Sequence, residues 1–116
     1  MYTYKIGICD DEPIFCESLK KLLTAYQAES KNQLGVRIFH RGEELIDSFH
    51  NGKCPYDILM LDVDVPDGMN GVQTAEKIRE QNPDVIIIFI TNYEKYALDA
   101  YRVDAIDYLV KPVQLD

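Results

Sequence analysis

Short apolar runs alternate with amphipathic segments along the whole chain, with no internal repeat or low-complexity stretch between them. Tyr4 to Cys9 reads as a strand. Pro13 suits the first turn of a helix, where a missing N–H costs nothing, and Phe15, Leu19, Leu22, Leu23 and Tyr26 then recur at helical spacing. Gly35 reads as the end of that segment, and Val36 to Phe39 alternates like a second strand. Gly42 to Asn51, with Leu45, Ile46 and Phe49 on one side, reads as a short helix closed by Gly52. Ile58 to Leu61 is an apolar run of strand length, and the turn-rich segment Pro66 to Gly71 leads into a helix carrying Val72, Ala75 and Ile78 that stops near Asn82-Pro83. Val85 to Ile90 is rich in β-branched residues and apolar on both faces, the strongest strand signal in the chain. Tyr93, Ala97, Ala100 and Tyr101 mark a further helical face whose tyrosines read as core, and Tyr108 to Val110 is a last short strand.

Strands separated by helices, with the middle strands buried on both faces, predict an α/β sandwich built on a parallel sheet with right-handed crossovers. In such sheets the chemistry collects beyond the carboxyl ends of the strands. Those positions hold Asp10 and Asp11, Asp62, Thr91 and Lys111. Carboxylates gathered at one edge raise one another's pKa unless a cation joins them. Mg²⁺ fits, because it takes oxygen ligands from few carboxylates and keeps waters that a phosphate can replace. Lys111 adds a compact positive charge and Thr91 a hydroxyl donor, the groups suited to the oxygens of a transferring phosphoryl group. An Asp carboxylate in that setting can act as the nucleophile and become an aspartyl phosphate.

Each residue also has a plain structural reading. Asp10 to Pro13 can cap a helix, Asp62 can begin a loop, Thr91-Asn92 can cap the next helix, and Tyr108 can be packing. Glu43-Glu44 reads as a solvated first turn, and His40 and His50 as surface residues. Chance placement of three acids, a hydroxyl and a lysine at the same edge is the weaker explanation.

Composition narrows the class. The 116 residues carry a net charge of −8 and are 47% hydrophobic, which fits one small domain over residues 1–116 and argues against disorder. No apolar run approaches the ~20 residues of a membrane helix, and the N-terminus lacks the layout of a signal peptide, so a cytoplasmic location is expected. Cys9, Cys16 and Cys54 read as reduced thiols. A net acidic domain is a poor binder of the phosphate backbone, so direct contact with DNA is not expected.

The motifs Ile8-Cys9-Asp10-Asp11-Glu12-Pro13, Leu59-Met60-Leu61-Asp62-Val63-Asp64-Val65-Pro66, Ile88-Phe89-Ile90-Thr91 and Asp107-Tyr108-Leu109-Val110-Lys111-Pro112 occur in the order found in the receiver domain of bacterial two-component response regulators, which the chain resembles over nearly its whole length. The resemblance implies a flavodoxin-like, doubly wound five-stranded parallel sheet of order 2-1-3-4-5. It also implies that Asp62 accepts a phosphoryl group from a sensor histidine kinase. Mg²⁺ or Mn²⁺ would be held by Asp11, Asp62 and the backbone carbonyl of Asp64, with Asp10 acting through a water. Lys111 would contact the phosphoryl oxygens, and Thr91 and Tyr108 would act as the switch. A cis bond before Pro112 is also implied. The stretch Thr91 to Tyr101, followed by Asp104 to Leu109, is similar to regulators with a LytTR-type DNA-binding output, which dimerise through the face around the fourth helix and fifth strand when phosphorylated. DNA would then be reached only through a C-terminal domain absent from this chain.

Three departures stand out. Gly71 lies one residue later than the usual spacing after Asp62, leaving the geometry near Asp67 and Gly68 open, and Asn92 replaces a small residue. The chain stops at Val113 to Asp116, where a fifth helix is expected, so a sheet face beside the first helix is expected to lie exposed and to favour self-association. Among rival readings, a haloacid dehalogenase-type phosphohydrolase shares Asp62-Val63-Asp64 but has the opposite motif order and a longer chain. An EF-hand loop at Asp62 to Gln73 has the wrong spacing, and a flavin site is disfavoured by the acids after the first strand. A pseudo-receiver, acting only as an adaptor, is a further reading; its usual sign is loss of an acid or the lysine, and none is lost here. A phosphorylation-switched signalling domain, with no external substrate, is the expected function.

Overall fold

The strands β1 (Thr3–Cys9), β2 (Gln33–Phe39), β3 (Ile58–Leu61), β4 (Ile86–Thr91) and β5 (Asp107–Val110) form one parallel sheet in the order β2-β1-β3-β4-β5 in the computed structural model. The structure describes residues 3–64 and 68–111. Between the strands run α1 (Pro13–Glu29), α2 (Gly42–Asp47), α3 (Gly71–Arg79) and α4 (Ala97–Arg102). This is the parallel α/β sandwich that the alternation predicts, in the doubly wound order that the resemblance implies. The strand order reverses at β1, which pairs with both β2 and β3, so the crevice for chemistry opens above these neighbours.

Two apolar layers flank the sheet. On the side of α2 and α3, Leu59, Leu61, Ile87 and Phe89 pack with Leu45, Ala75 and Ile78. On the other, Ile6, Ile8 and Ile90 pack against Cys16 and Leu19 of α1. This second layer is incomplete among the described residues: Ile58, Met60, Ile88 and Leu109 line an open groove of about 440 Å³ beside Leu23 and Tyr26 of α1. The burial of β4 on both faces is therefore partial, with Ile86 40% exposed. The expected opening beside α1 is present among the described residues. Residues 112–116, and with them the bond before Pro112, lie outside the described part.

Several local readings need correction. Gly35 does not end the first helical segment; α1 stops at Glu29 and Gly35 lies within β2, whose start is tied to α1 by Gln27 Oε1 accepting from the Leu34 N–H at 2.8 Å. The second helix ends at Asp47, not Asn51. The Ser48 hydroxyl donates to the Leu45 carbonyl there, and Asn51 and Gly52 follow with φ of 52° and 80°, left-handed values that no helix continues. The tyrosines near α4 are not all core. A six-residue helix offers little inward surface, and it is spent on Ala100, leaving Tyr101 79% exposed.

Arg79 closes α3 at the opposite end of the sheet from the site. Its guanidinium donates to the carbonyls of Asn82, Pro83 and Val85 ahead of β4, and of Val103 and Asp104 ahead of β5. One cation thereby satisfies carbonyls from two turns, among them that of Asp104, which has a φ of 54°.

Candidate functional site

The carboxyl edge is aligned by hydrogen bonds that run one residue past the strands. Asp10 N–H donates to the Phe39 carbonyl and Asp62 N–H to the Cys9 carbonyl, both at 2.9 Å, and Lys111 N–H donates to the Thr91 carbonyl at 2.8 Å. The backbone ladder itself thus sets Asp10, Asp62, Thr91 and Lys111 side by side. Close packing behind Asp62 requires a residue without a side chain at Gly71, where a Cβ would lie 2.0 Å from the Asp62 carbonyl oxygen.

Each of the two innermost carboxylates divides its work between its oxygens. Asp10 Oδ1 accepts the Glu12 N–H at 2.8 Å and Asp62 Oδ1 accepts the Asp64 N–H at 3.1 Å, so both side chains are fixed by their own loops. The remaining oxygens face the ammonium of Lys111, with Asp10 Oδ2 at 2.8 Å and Asp62 Oδ2 at 3.2 Å. Glu12 Oε1 completes the set at 3.0 Å and also takes the amide of Asn92. The Lys111 ammonium lies 4.1 Å from the ring centroid of Phe15, a further attraction for a cation. Asp11 stands half-buried at the rim, and ligand oxygens of Asp10, Asp11, Glu12 and Asp62 lie within 4.8 Å of one another.

Charge balance at this edge is negative. Burial pushes Asp10 up to about 6, with the Asp62 charge adding to it, while Lys111 and the Glu12 N–H only partly pull it back. Burial also raises Asp11, and the charge of Asp62 adds to that shift. Burial works against the charge on Lys111, but the carboxylates of Asp10, Glu12 and Asp62 outweigh it and hold the ammonium above its usual range. The thiol of Cys9 is pushed to about 12 by burial and the nearby acids, so it is not a nucleophile here.

A divalent cation fits these residues on two observations. The oxygens are hard donors in excess over Lys111, and the buried hydroxyl oxygen of Thr91 at the same edge has no hydrogen-bond partner among the described residues. Asp10 binds its proton more tightly when folded than when unfolded, so without metal the folded state holds more protons between about pH 4 and 6. Stability contributed by this group is therefore full below that window and lost as pH rises through it, by at most about 3 kcal/mol. Lys111 is charged throughout and adds no slope there. Thermal unfolding in EDTA is expected to show a lower Tm at pH 7.5 than at pH 5, and excess Mg²⁺ should narrow the gap. A metal-free Tm that is flat or rises over this range would contradict the assignment.

The other predicted residues are placed as follows. Thr91 is fully buried at the end of β4. Tyr108 lies two residues back along the β4–β5 pair, opposite Phe89, with its ring 6.3 Å from the Phe89 ring and its hydroxyl donating to the Tyr93 carbonyl. It is joined to the loop after β4 rather than to the acids. Asp64 is exposed, and its N–H serves Asp62. Two participants escaped the sequence reading. Glu12 occupies the cap position of α1 yet makes no cap hydrogen bond, having turned to Lys111. Glu43 is not simply a solvated residue: its Oε2 accepts the Met69 N–H at 3.0 Å, which lowers its pKa.

The model for the response regulator receiver domain matches residues 6–116. The chain is 36% identical to the positive alginate biosynthesis regulatory protein of Pseudomonas aeruginosa over 114 residues, covering 92% of this chain and 41% of that protein. It is 33% identical to the sensory transduction protein LytT of Bacillus subtilis over 108 residues, covering 93% of this chain and 42% of that one. The chain thus spans about two-fifths of the length of these relatives. Among solved structures, response regulator protein TrrA of Thermotoga maritima, in complex with Mg²⁺ and BeF, superposes with a TM-score of 0.78 at 33% identity, covering 97% of this chain and 90% of that one. With the sheet order in agreement with these matches, the chain belongs to the response regulator receiver domains, the phosphoacceptor signalling domains on which sensor histidine kinases act.

Proposed function

We propose that Asp62 is the phosphoacceptor and that the reaction depends on Mg²⁺ or Mn²⁺. The observation that carries this is the setting of Asp62 Oδ2, 3.2 Å from the Lys111 ammonium and at the same buried edge as the hydroxyl of Thr91, which has no partner among the described residues. In the transfer, an Asp62 oxygen forms a bond to phosphorus as the bond from phosphorus to the histidine nitrogen of the kinase breaks. Asp11, Asp62 and the Asp64 carbonyl would hold the metal, with Asp10 acting through a water. The metal supplies positive charge for the phosphoryl oxygens. Lys111 exchanges its hold on the acids for one on a phosphoryl oxygen, and Thr91 gives the group its hydroxyl. Tyr108, bonded to the loop after Thr91, carries the change to the α4–β5 face.

That face exposes Tyr93, Leu98, Tyr101 and Ile106, a surface suited to a homodimer formed on phosphorylation. Output through a LytTR-type DNA-binding domain joined to this one, in the cytoplasm, accords with the LytT relatives. No described helix is long and apolar enough to cross a membrane.

Incubation with acetyl phosphate and Mg²⁺, followed by intact mass, is expected to show one phosphoryl group per chain and none in EDTA. Hydroxylamine should trap the acyl phosphate, and peptide mass should place the label at Asp62. Label on another residue, or uptake undiminished by EDTA, would overturn the site. Steady release of phosphate from many phosphomonoesters would favour a phosphohydrolase instead.

A further inference from the structure

Phe39 ends β2 beside Cys9, and the Asp10 N–H carries the ladder one residue further by donating to the Phe39 carbonyl at 2.9 Å. The residue that follows this edge strand, His40, therefore stands next to Asp10. Its Nδ1 lies 2.8 Å from the Asp10 carbonyl oxygen. A carbonyl can only accept, so Nδ1 carries a proton and donates it. Among the described residues the one other donor to this oxygen is the thiol of Cys16, a weak one at 3.5 Å.

The oxygen belongs to the peptide that joins Asp10 to Asp11, and the bonds that hold Asp10 itself do not set the orientation of that peptide. The Glu12 N–H bonded to Asp10 Oδ1 closes a side-chain turn over it. A turn of this kind leaves its middle peptide two orientations a half-turn apart, related as types I and II are, and the second needs a positive φ at the following residue. Asp is one of the few residues that tolerate such a φ, so Asp11 would accept either orientation. It has no positive φ here. Beyond this peptide nothing tethers Asp11, since no hydrogen bond from another described residue reaches its carboxyl.

We infer that His40 is a positioning residue for the metal site: by donating to the Asp10 carbonyl it selects the orientation of the Asp10–Asp11 peptide that sets the Asp11 carboxylate close to Asp62. The inference rests on the proposed function for the role of Asp11 and for the ligand, Mg²⁺. His40 touches neither metal nor phosphate. The path is short, running from the ring to the carbonyl and through one peptide to Asp11.

The test compares His40→Leu with His40→Asn, whose amide nitrogen can take the place of Nδ1, by calorimetric titration with Mg²⁺ and by ¹⁵N spectra in EDTA. In alkaline buffer the wild-type ring should hold its single proton on Nδ1. Without the donor the second orientation becomes populated, and only the remaining fraction is ready for metal. Mg²⁺ binding is therefore expected to weaken about three- to tenfold in His40→Leu, the worth of one hydrogen bond. The Asp11 amide signal should shift or broaden in that variant without metal, and His40→Asn should recover most of both changes. With acetyl phosphate, His40→Leu should need more Mg²⁺ for half-maximal uptake but reach a near-normal rate at saturation, a split that general destabilisation would not give. The ring is exposed, so its removal opens no cavity, and melting curves in EDTA check that the fold is kept. Unchanged Mg²⁺ affinity in His40→Leu, an equal loss in His40→Leu and His40→Asn, or a wild-type ring proton on Nε2 overturns the inference. A wild type that binds Mg²⁺ with the expected dependence on His40 but takes up no phosphate counts against the proposed function alone.

Discussion

Asp62→Asn is expected to abolish phosphoryl uptake from acetyl phosphate while leaving the fold intact. The amide oxygen can still accept the Asp64 N–H that Asp62 Oδ1 takes at 3.1 Å; the NH2 then stands where Oδ2 faced Lys111 at 3.2 Å, and the ammonium keeps Asp10 and Glu12 as partners, so the backbone has little reason to move. What is lost is the anionic oxygen that attacks phosphorus, and an amide has no comparable nucleophile. Removing this charge also relieves Asp10, whose pKa it helps to raise, so the variant's metal-free Tm near neutral pH should equal or exceed that of the wild type. Intact mass at saturating Mg²⁺ and melting curves in EDTA check the two parts separately. Phosphoryl uptake by the Asn variant at the wild-type rate would remove Asp62 from its assigned role.

Lys111→Met should show a different pattern, slow chemistry together with lost stability. The ammonium sits within 3.2 Å of three carboxylate oxygens, and the Asp10 and Asp62 side chains are each only 2% exposed. Taking one partner from a buried ionic cluster leaves charges unpaired, at a cost of about 3–5 kcal/mol. In EDTA the variant is expected to melt well below the wild type, and Mg²⁺ should restore much of the difference because it supplies the missing positive charge. Uptake measured at saturating Mg²⁺, where the fold is secured, should still be slower by about 10²–10³-fold, the typical effect of removing one group aimed at developing charge. Methionine keeps most of the apolar stem of lysine and loses the ammonium, with its ion pairs and its cation–π contact with Phe15, so the loss reports on the charge. A rate within a few-fold of wild type would mean that Lys111 serves the resting protein and not the transfer.

Much of this site was readable before any coordinates, for a physical reason. Asp10, Asp62, Thr91 and Lys111 each follow an apolar run, and in a parallel sheet the strand ladder alone brings such positions together. Side chains that reach the site from helices carry no such mark. Glu12 looks like a cap and Glu43 like a solvated first turn, and nothing in their spacing says that one turns to Lys111 and the other to Met69. The misplaced end of α1 has the same origin: Gly35 resembles a helix stop, but pairing with Lys5 of β1 holds it in a strand. Tyr101 and Tyr93 resemble core because aromatic residues at helical spacing usually are, whereas α4 is too short to bury them.

The guanidinium of Arg79 has a mechanical meaning for these exposed tyrosines. By gripping carbonyls just ahead of β4 and just ahead of β5, it pins the amino ends of both strands and the last residues of the α4 turn. At the opposite end, the carbonyls of Thr91 and Tyr93 are taken one each by the Lys111 N–H and the Tyr108 hydroxyl. Arg79 thus ties the amino ends of β4 and β5 and the end of α4 to α3, at the end of the sheet away from the acids. The exposed Leu98 and Tyr101 therefore sit on a helix whose carboxyl end is anchored to α3.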